Sequence, residues 1–134
     1  MIGSPLERHT LTLEVVAGTY AVCRLGPGEA VPSWAKPGSF LSVTRTEAEV
    51  SIVCSQEGVP ATVAAERGWR CLRVAGPLGF GMTGILASLA GPLASSGVSI
   101  FVVSTYDTDY LMVQERDLER AQDALVRAGH RVAR

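Results

Sequence analysis

The chain has 134 residues, of which 47% are hydrophobic, and its formal net charge is −1. This length fits one globular unit or two very small modules, and the apolar content excludes a disordered chain. The near-neutral charge and the lack of a Lys/Arg cluster argue against a nucleic-acid partner, because nucleic-acid-binding domains carry a basic stripe.

The first half begins with an alternating apolar pattern over residues 11–15, which predicts a strand with one solvated face. Residues 20–25 form a second β-rich run. The segment after this run contains too many prolines and glycines for a normal helix. Two further strands are predicted at 40–44 and 50–55 around a polar turn, and residues 59–67 are compatible with a short linking helix.

The second half predicts a strand over 69–74 and a helix from about 81 to 95. Pro92 should kink this helix or make it restart, because proline removes one helical hydrogen bond. Gly97 is expected to end it as a left-handed cap. Residues 98–103 are apolar on both alternate faces, which is typical of a central strand covered on both sides.

A polar turn at 104–109 and a strand at 110–114 come next, followed by a helix over about 116–128. Its expected buried face comprises Leu118, Ala121, Leu125 and Val126. Gly129 caps the helix, and residues 130–133 fit a short edge strand. The order β-α-β-β-α-β is that of a ferredoxin-like α+β fold, with two helices on one face of the sheet.

The first half repeats this pattern in degenerate form. Residues 40–54 align without gaps with residues 100–114 at an offset of 60, which places Glu49 opposite Asp109. We therefore predict two modules, a degenerate one at 1–65 and a complete one at 66–134.

No charged residue occurs from Val74 to Tyr106, a length that could span a bilayer. Because glycines and prolines interrupt the run repeatedly, it resolves better into a loop, a helix, a turn and a strand. Cys23, Cys54 and Cys71 lie among apolar neighbours and are odd in number, which indicates buried free thiols. With no apolar signal core near the N-terminus, we expect a cytoplasmic protein without a membrane partner.

A glycine-rich segment, Gly79-Phe80-Gly81-Met82-Thr83-Gly84, precedes the first predicted helix. Glycines permit close backbone approach to a ligand, and unpaired N–H groups at a helix start attract an anion such as a carboxylate. The segment matches neither a Walker loop nor a dinucleotide fingerprint. The alternative is a glycine turn shaped only by packing.

The turn at 104–109 contains Ser104, Asp107 and Asp109. Carboxylates of this kind can hold an ammonium group, and hydroxyls can satisfy a carboxylate. Alternatively, the two aspartates only make hydrogen bonds to the turn backbone. This turn and the glycine-rich segment need not lie at the same end of the sheet.

Catalytic patterns are sparse. His9 and His130 lie near opposite termini, and His130 follows a helix cap, where we expect it to be exposed. Asp107 and Asp109 could serve acid–base or metal chemistry, but no further carboxylate or histidine lies nearby in sequence. We therefore expect no enzyme, no cofactor and no metal site.

Several motifs together resemble the ACT-domain superfamily, in particular small tandem-ACT proteins of the CASTOR and aspartate-kinase type. They are Tyr20-Ala-Val-Cys-Arg-Leu25, Val31-Pro-Ser-Trp34, Thr46-Glu-Ala-Glu-Val-Ser-Ile-Val-Cys54, Gly76-Pro-Leu-Gly-Phe80 and Ser104-Thr-Tyr-Asp-Thr-Asp-Tyr110. The resemblance implies modules that associate side by side and bind an amino acid where they meet. It points to Gly79, Phe80, Gly81, Thr83, Gly84, Ser104 and Asp109 as ligand-binding residues.

The chain is about half the size of an arginine sensor of that family, so a second copy could supply the missing half as a homodimer. The leading hypothesis is therefore a regulatory module that binds an amino acid and acts through an unknown protein partner. A scaffold domain without a ligand is the competing hypothesis, and a small enzyme using Asp107 and Asp109 is a distant third.

Overall fold

The computed structural model describes residues 9–76 and 83–133. The strands are β1 (Thr12–Leu25), β2 (Ser42–Arg45), β3 (Val50–Ser55), β4 (Ala65–Val74), β5 (Ile100–Ser104), β6 (Asp109–Gln114) and β7 (Arg131–Ala133). The α-helices are α1 (Ile85–Ser95) and α2 (Leu118–Arg127), and single 3₁₀ turns occupy Gln56–Gly58 and Glu115–Asp117.

The chain divides into two compact units. The inserted unit comprises residues 16–71, and the split unit comprises residues 1–15 together with residues 72–134. Each boundary falls inside a strand, because β1 crosses residue 15 and β4 crosses residue 71. The two modules that we predicted at 1–65 and 66–134 refer to the sequence repeat and remain a prediction.

The split unit has the predicted ferredoxin-like α+β arrangement. Its strands follow the hydrogen-bonding order β1-β4-β6-β5, and β7 pairs in parallel with the start of β1, where Thr12 lies opposite Arg131. The two helices pack on this sheet through a shared apolar core. Its fully buried members include Leu13, Leu72, Leu89, Leu93, Leu111, Val113 and Leu125.

The inserted unit has a smaller core. Ala21, Cys23, Val50, Ile52 and Cys54 project from β1 and β3, which pair antiparallel. The irregular segment between β1 and β2 covers them with Trp34 and Ala35. All three cysteines are buried free thiols, as predicted, and burial raises the pKa of Cys54 and of Cys71 to about 12.

Three predictions about strands and linkers were wrong. The runs at 11–15 and 20–25 belong to one 14-residue strand, β1. Residues 59–67 contain no helix, because the chain turns after Pro60 and then joins β4 at Ala65. The strand over 98–103 is not central: β5 lies at the end of the strand order, and its apolar residues are half-buried.

The helices also differ in detail from the predictions. Helix α1 begins at Ile85 rather than at 81, because Gly84 has a left-handed φ of 75° that the helix cannot continue. The helix then runs through Pro92 to Ser95 without a break, so of the two alternatives the restart is wrong, and the kink stays a prediction. In α2, Val126 is 56% exposed and Gln122 is buried instead, since 118, 121, 122 and 125 form the helical stripe.

The hairpin formed by β2 and β3 has the same plan as the hairpin formed by β5 and β6, but the offset between them is 59 residues rather than 60. Strands β2 and β3 enclose a four-residue turn, as do β5 and β6, and each pair is followed by a 3₁₀ turn. At this offset Thr46 corresponds to Thr105, and Val50 corresponds to Asp109. The sequence alignment at an offset of 60 pairs Glu49 with Asp109, and this pairing is therefore wrong.

Within residues 9–76 and 83–133, no helix is both long and apolar enough to cross a membrane. The charge-free stretch instead supplies the end of β4, α1 and β5.

Candidate functional site

The candidate site lies at the end of the split unit's sheet where β4 ends. The Ala75 backbone N–H donates to the Thr12 carbonyl at 2.8 Å, and the Thr108 hydroxyl donates to the Val74 carbonyl at 2.6 Å. These bonds bring the start of β1 and the turn between β5 and β6 to the end of β4. The turn and Thr83, whose carbonyl is bonded to His9 near the start of β1, therefore share one end of the sheet, a placement that the sequence leaves open.

Thr105 organises the turn between β5 and β6. Its backbone N–H donates to the Thr108 carbonyl at 2.8 Å, and its hydroxyl oxygen accepts from the Thr108 N–H at 3.3 Å. Thr108 is buried, and its hydroxyl group is satisfied by the bond to the Val74 carbonyl. The Thr105 side chain thus makes the hydrogen bonds to the turn backbone that the alternative interpretation assigns to Asp107 and Asp109.

Ser104 and Asp109 are brought together as a cross-strand pair. The Ser104 hydroxyl donates to Asp109 Oδ1 at 2.6 Å. Both residues continue the strand positions of Val102 and Leu111, which face the helices, so the pair lies on the helix side of the sheet. Asp107 is exposed in the turn beside Tyr106, which is 82% exposed.

Thr83 and Gly84 lead into α1. The Thr83 carbonyl accepts a hydrogen bond from His9 Nε2 at 2.7 Å, which holds this segment near the start of β1. Gly84 provides no side-chain cap, and the first turn of α1 contains no acidic residue. The N–H groups that begin a helix have no partner within it and attract anions. Gly79, Phe80 and Gly81 lie outside the described residues.

This end of the sheet therefore presents a helix start suited to an anion and a carboxylate–hydroxyl pair suited to a cation. Among the described residues, no group of three or more His, Cys, Asp or Glu side chains could hold a metal ion. A separate surface groove of about 310 Å³ is lined by Gln122, Asp123, Val126, Arg127 and Val132, none of which is a predicted site residue.

The prediction that His130 is exposed was wrong. Its side chain is 5% exposed, and Nδ1 accepts a hydrogen bond from the Leu11 backbone N–H at 3.1 Å. Nε2 donates to the Ser88 carbonyl at 3.0 Å. Sequence reasoning also missed Thr108. Both residues bond to groups far away in sequence. The only sequence signal was that His130 is a polar residue at the start of a predicted strand and that Thr108 lies in a predicted polar turn.

Comparison with known proteins adds the family relationship. A family model described as ACT domain matches residues 64–127, and a model of another family's N-terminal domain matches residues 18–62. The human protein named cytosolic arginine sensor for mTORC1 subunit 1 is 34% identical over 111 residues, which cover 75% of this chain and 34% of that protein. The chain thus spans about a third of the length of the arginine sensors it matches.

Two solved structures extend the comparison. A protein from Agrobacterium tumefaciens is 44% identical, with a TM-score of 0.87 and 92% of both chains covered. The aspartate kinase of Clostridium acetobutylicum has a TM-score of 0.63 at 12% identity, covering 94% of this chain and 36% of the kinase. At that identity the kinase is similar in fold alone.

Proposed function

We propose, since residues 64–127 of this chain match the ACT-domain family model, that it is a regulatory module that binds a small molecule, and that its ligand is an amino acid. The matched human relative is named an arginine sensor, which supports a sensing role over a catalytic one. That relative is also named cytosolic, in agreement with the cytoplasmic location that we infer from the free thiols.

The observation that carries the proposal is that a helix start, which attracts anions, and a carboxylate, which attracts cations, lie at the same end of the sheet. An α-amino acid presents a carboxylate and an ammonium group on neighbouring atoms. The start of α1 after Gly84 suits the carboxylate, and Asp109 suits the ammonium group through a charge-assisted hydrogen bond. The proposed site also includes Gly79, Phe80 and Gly81, which the family resemblance implies, together with Thr83, Ser104 and Asp107.

We further propose that the site is completed by a second copy of the chain. β5 is an edge strand whose Phe101 and Val103 are half-buried on the side away from the helices. Edge strands with apolar side chains are stabilised when another chain covers them. Light scattering at micromolar concentration should therefore give the mass of a dimer, and a strictly monomeric protein would contradict this assembly.

The test of ligand binding starts with a thermal-shift screen of the twenty amino acids. Calorimetry then compares the best ligand on the wild type and on Asp109→Asn. Asparagine retains the oxygen that accepts from Ser104 but loses the charge, so we expect affinity to fall roughly ten- to a hundredfold with little change in stability.

Asp123→Asn is the matched control, because Asp123 is an exposed aspartate on α2. It removes the same charge from the same unit and should leave the affinity unchanged. An equal effect of both variants would indicate a general loss of negative charge, and unchanged affinity in Asp109→Asn would remove this residue from the site.

One observation favours a second candidate, a scaffold domain without a ligand. Ser104 already bonds to Asp109, Thr105 and Thr108 bond to each other, and Thr108 also bonds to Val74, so these polar groups also have a purely structural explanation. A flat thermal-shift screen would support this candidate.

A further inference from the structure

A proline inside α1 leaves one helical carbonyl without its usual donor. In a regular α-helix, the N–H of residue 92 would donate to the carbonyl of residue 88. Pro92 has no N–H, yet α1 runs through it from Ile85 to Ser95. A buried carbonyl without a donor costs free energy, so its partner has to be sought elsewhere in the fold.

The missing donor is His130. Its Nε2 lies 3.0 Å from the Ser88 carbonyl oxygen, the group that Pro92 leaves open. On the other side of the ring, Nδ1 accepts the Leu11 backbone N–H at 3.1 Å. A ring that accepts at Nδ1 and donates at Nε2 is a neutral imidazole in the Nε2–H tautomer.

The position of His130 ties the ring to three elements. Its backbone N–H donates to the Leu125 carbonyl at the end of α2, and the next residue, Arg131, donates to the Leu11 carbonyl where β7 pairs with β1. The side chain thus connects the N-terminal residues of the split unit to α1. The contacts around it are uncharged, since α1 has no charged residue and Arg127 and Arg131 are exposed.

We propose that His130 is a positioning residue that replaces the helical hydrogen bond lost at Pro92 and thereby fixes α1 against the start of β1. This role does not depend on which ligand the protein binds. It makes Pro92 and His130 an interdependent pair: the histidine's bond to Ser88 is required because residue 92 is proline.

A double-mutant cycle on the ligand-free protein tests the pair. His130→Asn retains an acceptor near the position of Nδ1 for the Leu11 N–H, but it is too short to reach Ser88. We expect it to lower the folding equilibrium constant about tenfold. In the Pro92→Ala background the helix supplies its own donor to Ser88, so the same change should cost at most about threefold.

His130→Gln provides the complementary variant, because its amide can reach the position of Nε2 and donate to Ser88 while losing the bond to Leu11. Its cost should be the same in the wild-type background as in the Pro92→Ala background. If His130→Asn costs the same in both backgrounds, the proposed pairing is wrong.

Nitrogen NMR of the wild-type imidazole keeps the proposal testable even if a variant fails to fold. It should report the Nε2–H tautomer at neutral pH. The Nδ1–H tautomer or a charged ring in the native state would overturn the assignment.

Discussion

The two hairpins of the chain, residues 42–58 and 100–117, have the same backbone plan but differ in the elements that continue and cover them. In both, two antiparallel strands enclose a four-residue turn and run into a 3₁₀ turn. The second hairpin continues into α2 and is packed by helices, whereas the first continues into a turn and is packed by an irregular segment. A strand–turn–strand unit can thus be retained while the elements that bury it change.

The largest expected effect concerns the cores of the two hairpins. Ile52 and Leu111 occupy equivalent positions and are both fully buried. Ile52→Ala and Leu111→Ala should each lower the free energy of unfolding by about 2–5 kcal/mol in urea titrations. We expect Leu111→Ala to cost more because its core contains more buried residues. A negligible cost at Ile52 would mean that the irregular segment does not form a packed core.

The next effect distinguishes the turns at the position of Thr108. Its hydroxyl donates to the buried Val74 carbonyl, whereas the first hairpin has Glu49 at the equivalent position. Thr108→Val retains the shape and removes the donor, so it should cost about 1–3 kcal/mol in chemical denaturation. The control Glu49→Gln should change stability by less than about 0.5 kcal/mol. Equal costs would show that the bond to Val74 does not anchor the second turn.

The smallest effect tests the similarity of the hairpins. The Thr46 hydroxyl oxygen accepts from the Ala48 and Glu49 N–H groups, each at 3.2 Å, much as Thr105 accepts from Thr108. Thr46→Val and Thr105→Val should each cost about 0.5–1.5 kcal/mol, with values close to each other, in thermal unfolding. A cost at only one site would show that the shared geometry is not a shared source of stability.

The sequence predicted the order of strands and helices in the second half because the signals for these elements are local. Alternating apolar residues indicate strands, helical spacing indicates α1 and α2, and Gly97 and Gly129 have the left-handed φ expected of helix ends. The repeat offset was wrong by one residue. Val43 matches Val103 and Val53 matches Val113 at an offset of 60, whereas the strand pairing and the match of Thr46 with Thr105 favour 59.

The candidate site was only partly predictable for the same reason. The pairing of Ser104 with Asp109 follows from a four-residue hairpin turn, which is a local feature. The bonds of Thr108 to Val74 and of His130 to Leu11 join residues 34 and 119 positions apart. Contacts at such separations depend on the packed arrangement of strands and helices, which no local pattern encodes.

The nesting of one unit within the other has a consequence for synthesis on the ribosome. Residues 16–71 are contiguous, so the inserted unit is complete in the nascent chain as soon as Cys71 has been made. Residues 9–15 of the split unit emerge before the inserted unit, but Thr12 can pair with Arg131 of β7 only after residue 131 has been made. Since domains generally fold from the N-terminus during translation, we expect the inserted unit to form first and the start of β1 to complete its pairing only once β7 has been made.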